Sequence, residues 1–166
     1  NRFGRISPTT AQHVETDLVE NIEVIVDGVP CPVGVESTIV KVEDGEIRLL
    51  RPGGIDADAI EAVTGKTVQR PKASGTAAIE APGMLASHYA PNASVRLNAT
   101  AVSSKEALIA FGASNISGAS TARAVFNHSP NGDLAEAASN LFDFLKRADA
   151  SGATGIAVAP IPDEGL

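Results

Sequence analysis

Four groups of residues in this sequence have types and spacing suited to chemistry. Arg51 stands at the end of an apolar run in Leu50-Arg51-Pro52-Gly53-Gly54. A permanently charged, planar guanidinium followed by glycines that permit close backbone approach suits phosphate recognition. The same residue also reads as a surface arginine at a strand end. Ser37 and Thr38 interrupt an otherwise apolar stretch, where a hydroxyl serves either a ligand or the neighbouring backbone. Glu36 beside them is placed to orient a basic group or to lie at an exposed edge. His88-Tyr89 falls in a stretch without periodicity and either packs on its own domain or covers a ligand. His13 and His128 lack metal-ligand partners at sensible spacing and are assigned no role. No Ser-His-Asp order or glycine-rich phosphate loop is present, so neither a catalytic nucleophile nor a metal ligand is assigned.

The elements that must position these groups follow from pattern. Ser7-Pro8 reads as an N-cap followed by proline at the first helical position, and Ala11, Val14 and Leu18 give that helix an apolar side. Residues 22–26 read as a short strand. Residues 36–42 and 46–51 flank Asp44-Gly45, a hairpin signal because that dipeptide tolerates positive φ. Asp56 caps a short helix reaching Val63, Ile55 and Ile60 are placed as a hydrophobic staple, and Gly65 stops the helix. This first part is expected to be α+β with much antiparallel sheet.

From residue 66 to 92 the chain is punctuated by Pro71, Gly75, Pro82, Gly83 and Pro91, and it reads as a linker. A stretch this long without regular structure is usually functional or disordered. Residues 93–166 alternate. Residues 95–97 read as a strand, and Ser103 with Glu106 reads as a capping box opening a helix through Leu108, Ile109 and Phe111. Residues 124–126 form a second expected strand. Asp133 and Glu136 open a long helix with the stripe Leu134, Ala137, Ala138, Leu141 and Leu145. Gly152 ends it, and residues 155–160 are a near-continuous apolar strand. The alternation predicts a small parallel, doubly wound α/β domain.

Composition excludes several classes. The 166 residues carry 13 basic and 20 acidic groups, a net charge of −7, which disfavours coating nucleic acid through charge. Aromatic residues are 4% with no Trp, so base-stacking platforms are not expected. No apolar run approaches the ~18–20 residues that span a bilayer, and no basic-then-apolar leader opens the sequence. One cysteine, Cys31, rules out an internal disulfide framework and a Cys-based zinc site. Between Pro30 and Pro32 it reads as a small buried hydrophobe. A reducing, cytoplasmic setting is the default expectation. Asn1 opens the sequence as though the chain were already under way, and residues 162–166 resemble a helix start cut short, so it reads as part of a longer protein.

Taken together, Asn1 with Ser7-Pro8-Thr9, Gly34-Val35-Glu36-Ser37-Thr38-Ile39-Val40, Leu50-Arg51-Pro52-Gly53-Gly54, and Ala81-Pro82-Gly83-Met84 through His88-Tyr89-Ala90-Pro91 form an ordered set. This set resembles the long, two-domain threonylcarbamoyl-AMP synthases of the YrdC-like family. The resemblance implies that residues 1–65 are the C-terminal portion of a YrdC-like α+β catalytic domain. Residues 66–92 would then be the linker, and residues 93–166 a truncated Rossmann-like domain. It implies the conversion of L-threonine, bicarbonate and ATP, with Mg2+, to threonylcarbamoyl-adenylate and pyrophosphate. The product feeds N6-threonylcarbamoylation of tRNA adenosine, so a downstream tRNA threonylcarbamoyl transferase is an expected partner. Neither strong direct nucleic-acid binding nor a membrane is expected. Carried over by motif, Asn1 would contact ATP, and Thr9 with Ser7 would touch the triphosphate. Arg51 would pair with phosphate, and Tyr89 with His88 would close over the nucleotide. Ser37 and Thr38 would bind threonine.

The family's Lys-x-Arg element and most of its Ser-x-Asn element are absent from this sequence. The chain alone is therefore expected to be an incomplete, inactive part of the enzyme. Three other readings stay open: a non-catalytic regulatory or docking module, a YrdC-like RNA-binding domain, and a hydrogenase-maturation carbamoyltransferase.

Overall fold

A computed structural model describes residues 4–70, 80–82 and 88–163. The first helix, α1, spans Ala11–Leu18, and its N-cap is Thr10, whose side chain accepts from His13 N–H. It starts three residues later than the Ser7-Pro8 pattern predicts, because the Ser7 hydroxyl is used elsewhere, donating to the Glu36 carboxylate. Residues 22–26 form no strand. Their valines face solvent, Val24 at 78% and Val26 at 90% exposure, since no partner strand lies beside them among the described residues. Cys31 is exposed rather than buried; its N–H donates to the Thr9 carbonyl.

β1 (Ile39–Glu43) and β2 (Glu46–Arg51) make the expected antiparallel hairpin, joined at Asp44-Gly45. Both turn residues have positive φ, 51° and 79°, the pair of values a tight hairpin turn needs to match strand twist. α2 (Ala57–Thr64) runs between its Asp56 N-cap and a left-handed Gly65 C-cap. β3 (Val68–Gln69) returns parallel to β2 to complete a three-stranded sheet ordered β1-β2-β3. Ile47, Leu49, Ala57 and Val68 form its small core.

The second sheet contains β4 (Ser94–Arg96), β5 (Glu106–Ala110), β6 (Ala124–Asn127) and β7 (Gly155–Val158) in the order β4-β7-β5-β6. All three of its pairings are parallel, as the alternation implied. The helix predicted from Ser103 is instead β5. The capping-box bond does form, Glu106 accepting from Ser103 N–H at 2.9 Å, but it closes a turn. Residues 107–110 are all buried at the centre of the sheet. A short run that is apolar on every side fits a strand covered on both faces as well as a helix, and length does not separate the two.

The strands divide their side chains between two cores. Ala107, Ile109, Ile156 and Val158 face α3 (Leu134–Ala150) through Phe142, Leu145 and Ala148. Leu108, Ala110 and Ala157 join Ala99, Val102 and Ile116 in the other. That second face is covered by the 97–122 connections, including a 3-10 turn at Ala119–Thr121, and not by an α-helix. Among the described residues, no helix is long and apolar enough to cross a membrane.

One stripe of α3 also carries the first part of the chain. Gly34, at φ 71°, lies so close that an added Cβ would sit 2.0 Å from the Ser139 carbonyl oxygen. Lys146 pairs with Asp17 of α1 at 2.9 Å, and Asp149 accepts from the backbone N–H groups of Asn92 and Ala93. Ser139, Phe142, Asp143, Lys146 and Asp149 recur at helical spacing. Ile6, from before α1, is buried in the same core as Phe142.

Candidate functional site

The end of β2 delivers Arg51 beside the segment that leads into β1. Gly53 makes this approach possible: an added Cβ would lie 2.3 Å from the Glu36 carbonyl oxygen and 2.4 Å from Thr38 N. The Arg51 side chain is 11% exposed. Its Nε and Nη2 donate to the Ser37 carbonyl at 3.0 and 2.8 Å, and Nη2 reaches Ser37 Oγ at 3.0 Å. Nη1 donates to the Tyr89 hydroxyl at 2.8 Å. Glu36 Oε2 stands 3.8 Å from Nη2, and the other oxygen of that carboxylate accepts from Ser7. Ser7, Glu36, Ser37, Arg51 and Tyr89 therefore form one connected cluster drawn from four separate segments.

Tyr89 is held by unusual means. Its φ of 54° is a left-handed value that bulky residues adopt only when their surroundings impose it. Its ring stacks on Phe142 of α3 with centroids 6.1 Å apart, and His88 packs edge-on against it at 4.1 Å. Backbone contacts tie the same stretch down. Ala90 N–H donates to the Gly4 carbonyl at 3.1 Å, and Arg5 bridges to Ala90.

The remaining sequence-derived candidates scatter. Thr9 is buried and lies two residues beyond Ser7, with its hydroxyl 3.3 Å from His13 Nδ1. The Thr38 hydroxyl both donates to and accepts from the Ile55 backbone, so it braces the approach to α2 and is not joined to the Arg51 cluster. Asn1 lies outside the described residues. His13, which spacing alone gives no role, brings its Nε2 to 3.3 Å from Asp143 Oδ1. The sequence offers Glu36 as either an orienting carboxylate or an exposed edge residue, and it does not single out Phe142 or Asp143. Their partners are remote in sequence, and no local spacing signals such contacts.

Electrostatics concentrate at a few points. His13 is held below the usual imidazole range by burial first and by the Lys146 charge second, with Asp143 and Asp17 opposing. His128, at 1% exposure, is lowered by burial, and its Nδ1 has no hydrogen-bond partner among the described residues. Glu80 bonds to both Lys41 and Arg48 across β1 and β2, and these hydrogen bonds hold its carboxyl below the usual range. Among the described residues, no cluster of three or more His, Cys, Asp or Glu side chains could hold a metal ion.

Comparison with known proteins gives a consistent result. Residues 55–166 match the family described as threonylcarbamoyl-AMP synthase, C-terminal domain. Residues 1–53 match one described as telomere recombination. A threonylcarbamoyl-AMP synthase of Pyrococcus abyssi is 42% identical over 97 residues, covering 57% of this chain and 28% of that protein. One from Bacillus subtilis is 46% identical over 94 residues, 56% of this chain and 27% of that protein. A crystal structure of P. abyssi Sua5 complexed with L-threonine superposes with a TM-score of 0.77 at 30% identity, over 99% of this chain and 52% of the other. A variant of the same protein, with an adjacent histidine and tyrosine replaced by alanine, superposes equally well at 0.77 with 29% identity, over 98% of this chain and 50% of that one. The aligned part of this chain thus spans about a quarter of the curated relatives and half of the solved structures.

Proposed function

This chain belongs to the threonylcarbamoyl-AMP synthase family, and on that premise we propose that it carries part of the active site for making threonylcarbamoyl-adenylate. In this reading the amine of L-threonine adds to bicarbonate with loss of water to form a carbamate. A carbamate oxygen then attacks the α-phosphorus of ATP, and pyrophosphate leaves. Such a reaction depends on positioning and on neutralising phosphate charge more than on covalent help from protein.

Arg51 supplies a fixed cation to the phosphates, and Ser37 hydrogen-bonds threonine. Thr9, with Ser7 beside it, touches the triphosphate, and Tyr89 with His88 covers the nucleotide. Thr38, its hydroxyl engaged by Ile55, holds Ser37 in place. Glu36 orients both Arg51 and Ser7. Magnesium enters as its ATP complex. The product passes to a tRNA threonylcarbamoyl transferase in the cytoplasm, and with a net charge of −7 the chain has little attraction for tRNA itself.

One observation carries this reading: the guanidinium of Arg51, the Ser37 hydroxyl and the Tyr89 hydroxyl meet within hydrogen-bond distance, as a phosphate clamp beside an amino-acid contact requires. Calorimetric titration of the chain with Mg-ATP tests it. Weak binding that falls about tenfold or more in Arg51→Ala is expected, the scale of a lost charge-assisted hydrogen bond. A smaller fall is expected in Tyr89→Ala. Affinity unchanged by both substitutions favours the docking-module reading instead.

A further inference from the structure

Thr9 has an N–H and a hydroxyl, and both meet the same ring nitrogen. The N–H donates to His13 Nδ1 at 3.2 Å, and Oγ1 lies 3.3 Å from that atom. A ring nitrogen that accepts carries no proton, so the proton of the neutral imidazole sits on Nε2. Nε2 in turn lies 3.3 Å from Asp143 Oδ1, the acceptor this tautomer needs. Thr9, His13 and Asp143 thus form a hydroxyl–imidazole–carboxylate line from the segment bearing Ser7, through α1, into α3.

We propose that His13 is a positioning residue for Thr9. Asp143 fixes the Nε2–H tautomer, Thr9 N–H occupies the Nδ1 lone pair, and the Thr9 hydroxyl proton is left to be donated to an anionic phosphate oxygen. This rests on the nucleotide-binding role proposed above and deepens it, because it places one support of the phosphate contact in the second part of the chain.

The chemistry of the alternatives explains why the tautomer matters. One lone pair accepts one good hydrogen bond, and a backbone N–H has no other direction to turn, whereas a hydroxyl rotates. Were Nδ1 protonated, it would donate to Oγ1, and the Thr9 N–H, in a residue only 6% exposed, would lose its acceptor. The charged groups around the ring are Asp143, Asp17, Lys146 and, through Asp143 Oδ2 at 3.4 Å, Arg147. A ring that only fastened α1 to α3 through Nε2–H and Asp143 would need the same tautomer, so nucleotide affinity is the readout that separates the two roles.

The test is long-range 1H–15N correlation on the labelled chain at about pH 7.5, above the ordinary imidazole range. With three histidines, the His13 ring signals are identified by their loss in His13→Ala. His13 is expected with Nδ1 unprotonated and Nε2 protonated, and Asp143→Asn is expected to mix the tautomers. Mg-ATP titration supplies the second readout. Thr9→Val and His13→Ala are each expected to weaken binding about tenfold, with the double variant no weaker than either single one, the behaviour of residues acting as one unit. His13→Asn, which retains an acceptor near the Nδ1 position, should recover part of the loss, and His13→Gln should not. A protonated Nδ1 in the wild-type chain, or additive losses in the double variant, would overturn the inference while leaving the nucleotide reading intact. Absence of any Mg-ATP binding to the wild-type chain would sink that reading, and the phosphate role of Thr9 with it.

Discussion

The two sheets of this protein are built to different standards. In the parallel sheet, every residue of β7 and four of the five in β5 are buried, and both faces are covered. In the antiparallel hairpin, β1 contains no buried residue, and the core beneath it has four members. Exposed valines concentrate in the first 42 residues, among them Val24, Val26, Val29 and Val42, with Val63, Val95 and Val125 exposed beyond them. Yet the clustered polar side chains that resemble a binding site belong to the weaker sheet and the segments around it. The difference teaches where rigidity comes from. The site residues sit on a thin framework, and the α3 stripe borrows stiffness for them from the well-packed sheet through Gly34, Tyr89, His13 and Asp17.

The largest expected effect separates the two cores. Ile156→Ala, at a fully buried position, should lower unfolding free energy by about 2–5 kcal/mol. Ile47→Ala, in the four-residue core, should fall at or below the bottom of that range. Urea titrations of both variants read this directly, and equal losses would remove the asymmetry. Gly34→Ala acts between the two parts. The new methyl meets the Ser139 carbonyl, and the backbone at φ 71° disfavours any side chain, so about 1–3 kcal/mol should be lost. In this variant Mg-ATP affinity should fall while the parallel sheet keeps its slow amide exchange. Unchanged affinity would show that the close approach of Gly34 to α3 contributes nothing to the site.

A smaller effect is set by pH. His13 and His128 both have folded values below the ordinary 6.5, so the unfolded chain binds protons that the folded one refuses. Stability from these two groups is fully present above the ordinary value and declines as pH falls below it. Replacing His13 with Gln should flatten that decline, and a profile of Tm against pH that is level down to pH 5 would contradict the shifts.

Local chemistry was legible where the signal and its effect share a few residues. Asp44-Gly45 marks the hairpin, Asp56 and Gly65 bracket α2, and Arg51 before two glycines marks a charged group on a strand end. Ambiguity arose where one local signal fits two outcomes. Ser7-Pro8 and Thr10 both offer a cap, and the competing partner of Ser7, Glu36, is 29 residues away. The apolar run in β5 suits helix and strand alike until the neighbouring β6 and β7 are known. Residues 22–26 have a strand's composition, but pairing belongs to the partner as much as to the segment. Contacts of Tyr89 with Phe142 and of His13 with Asp143 were not legible at all. They join α3 to residues far back in the chain, and no periodicity encodes which faces of two remote helices or straps will meet.

Support of the site by α3 can be measured through Tyr89, the only tyrosine in a chain without Trp. Its fluorescence reports a single ring, bonded to Arg51 and stacked on Phe142. Acrylamide quenching should rise severalfold in Phe142→Ala. It should rise less in Phe142→Leu, which retains more of the buried volume and so guards against simple unfolding, while both variants keep a cooperative thermal transition. Quenching of Tyr89 that stays at the wild-type level in folded Phe142→Ala would show that the ring holds its place without α3, contrary to this account.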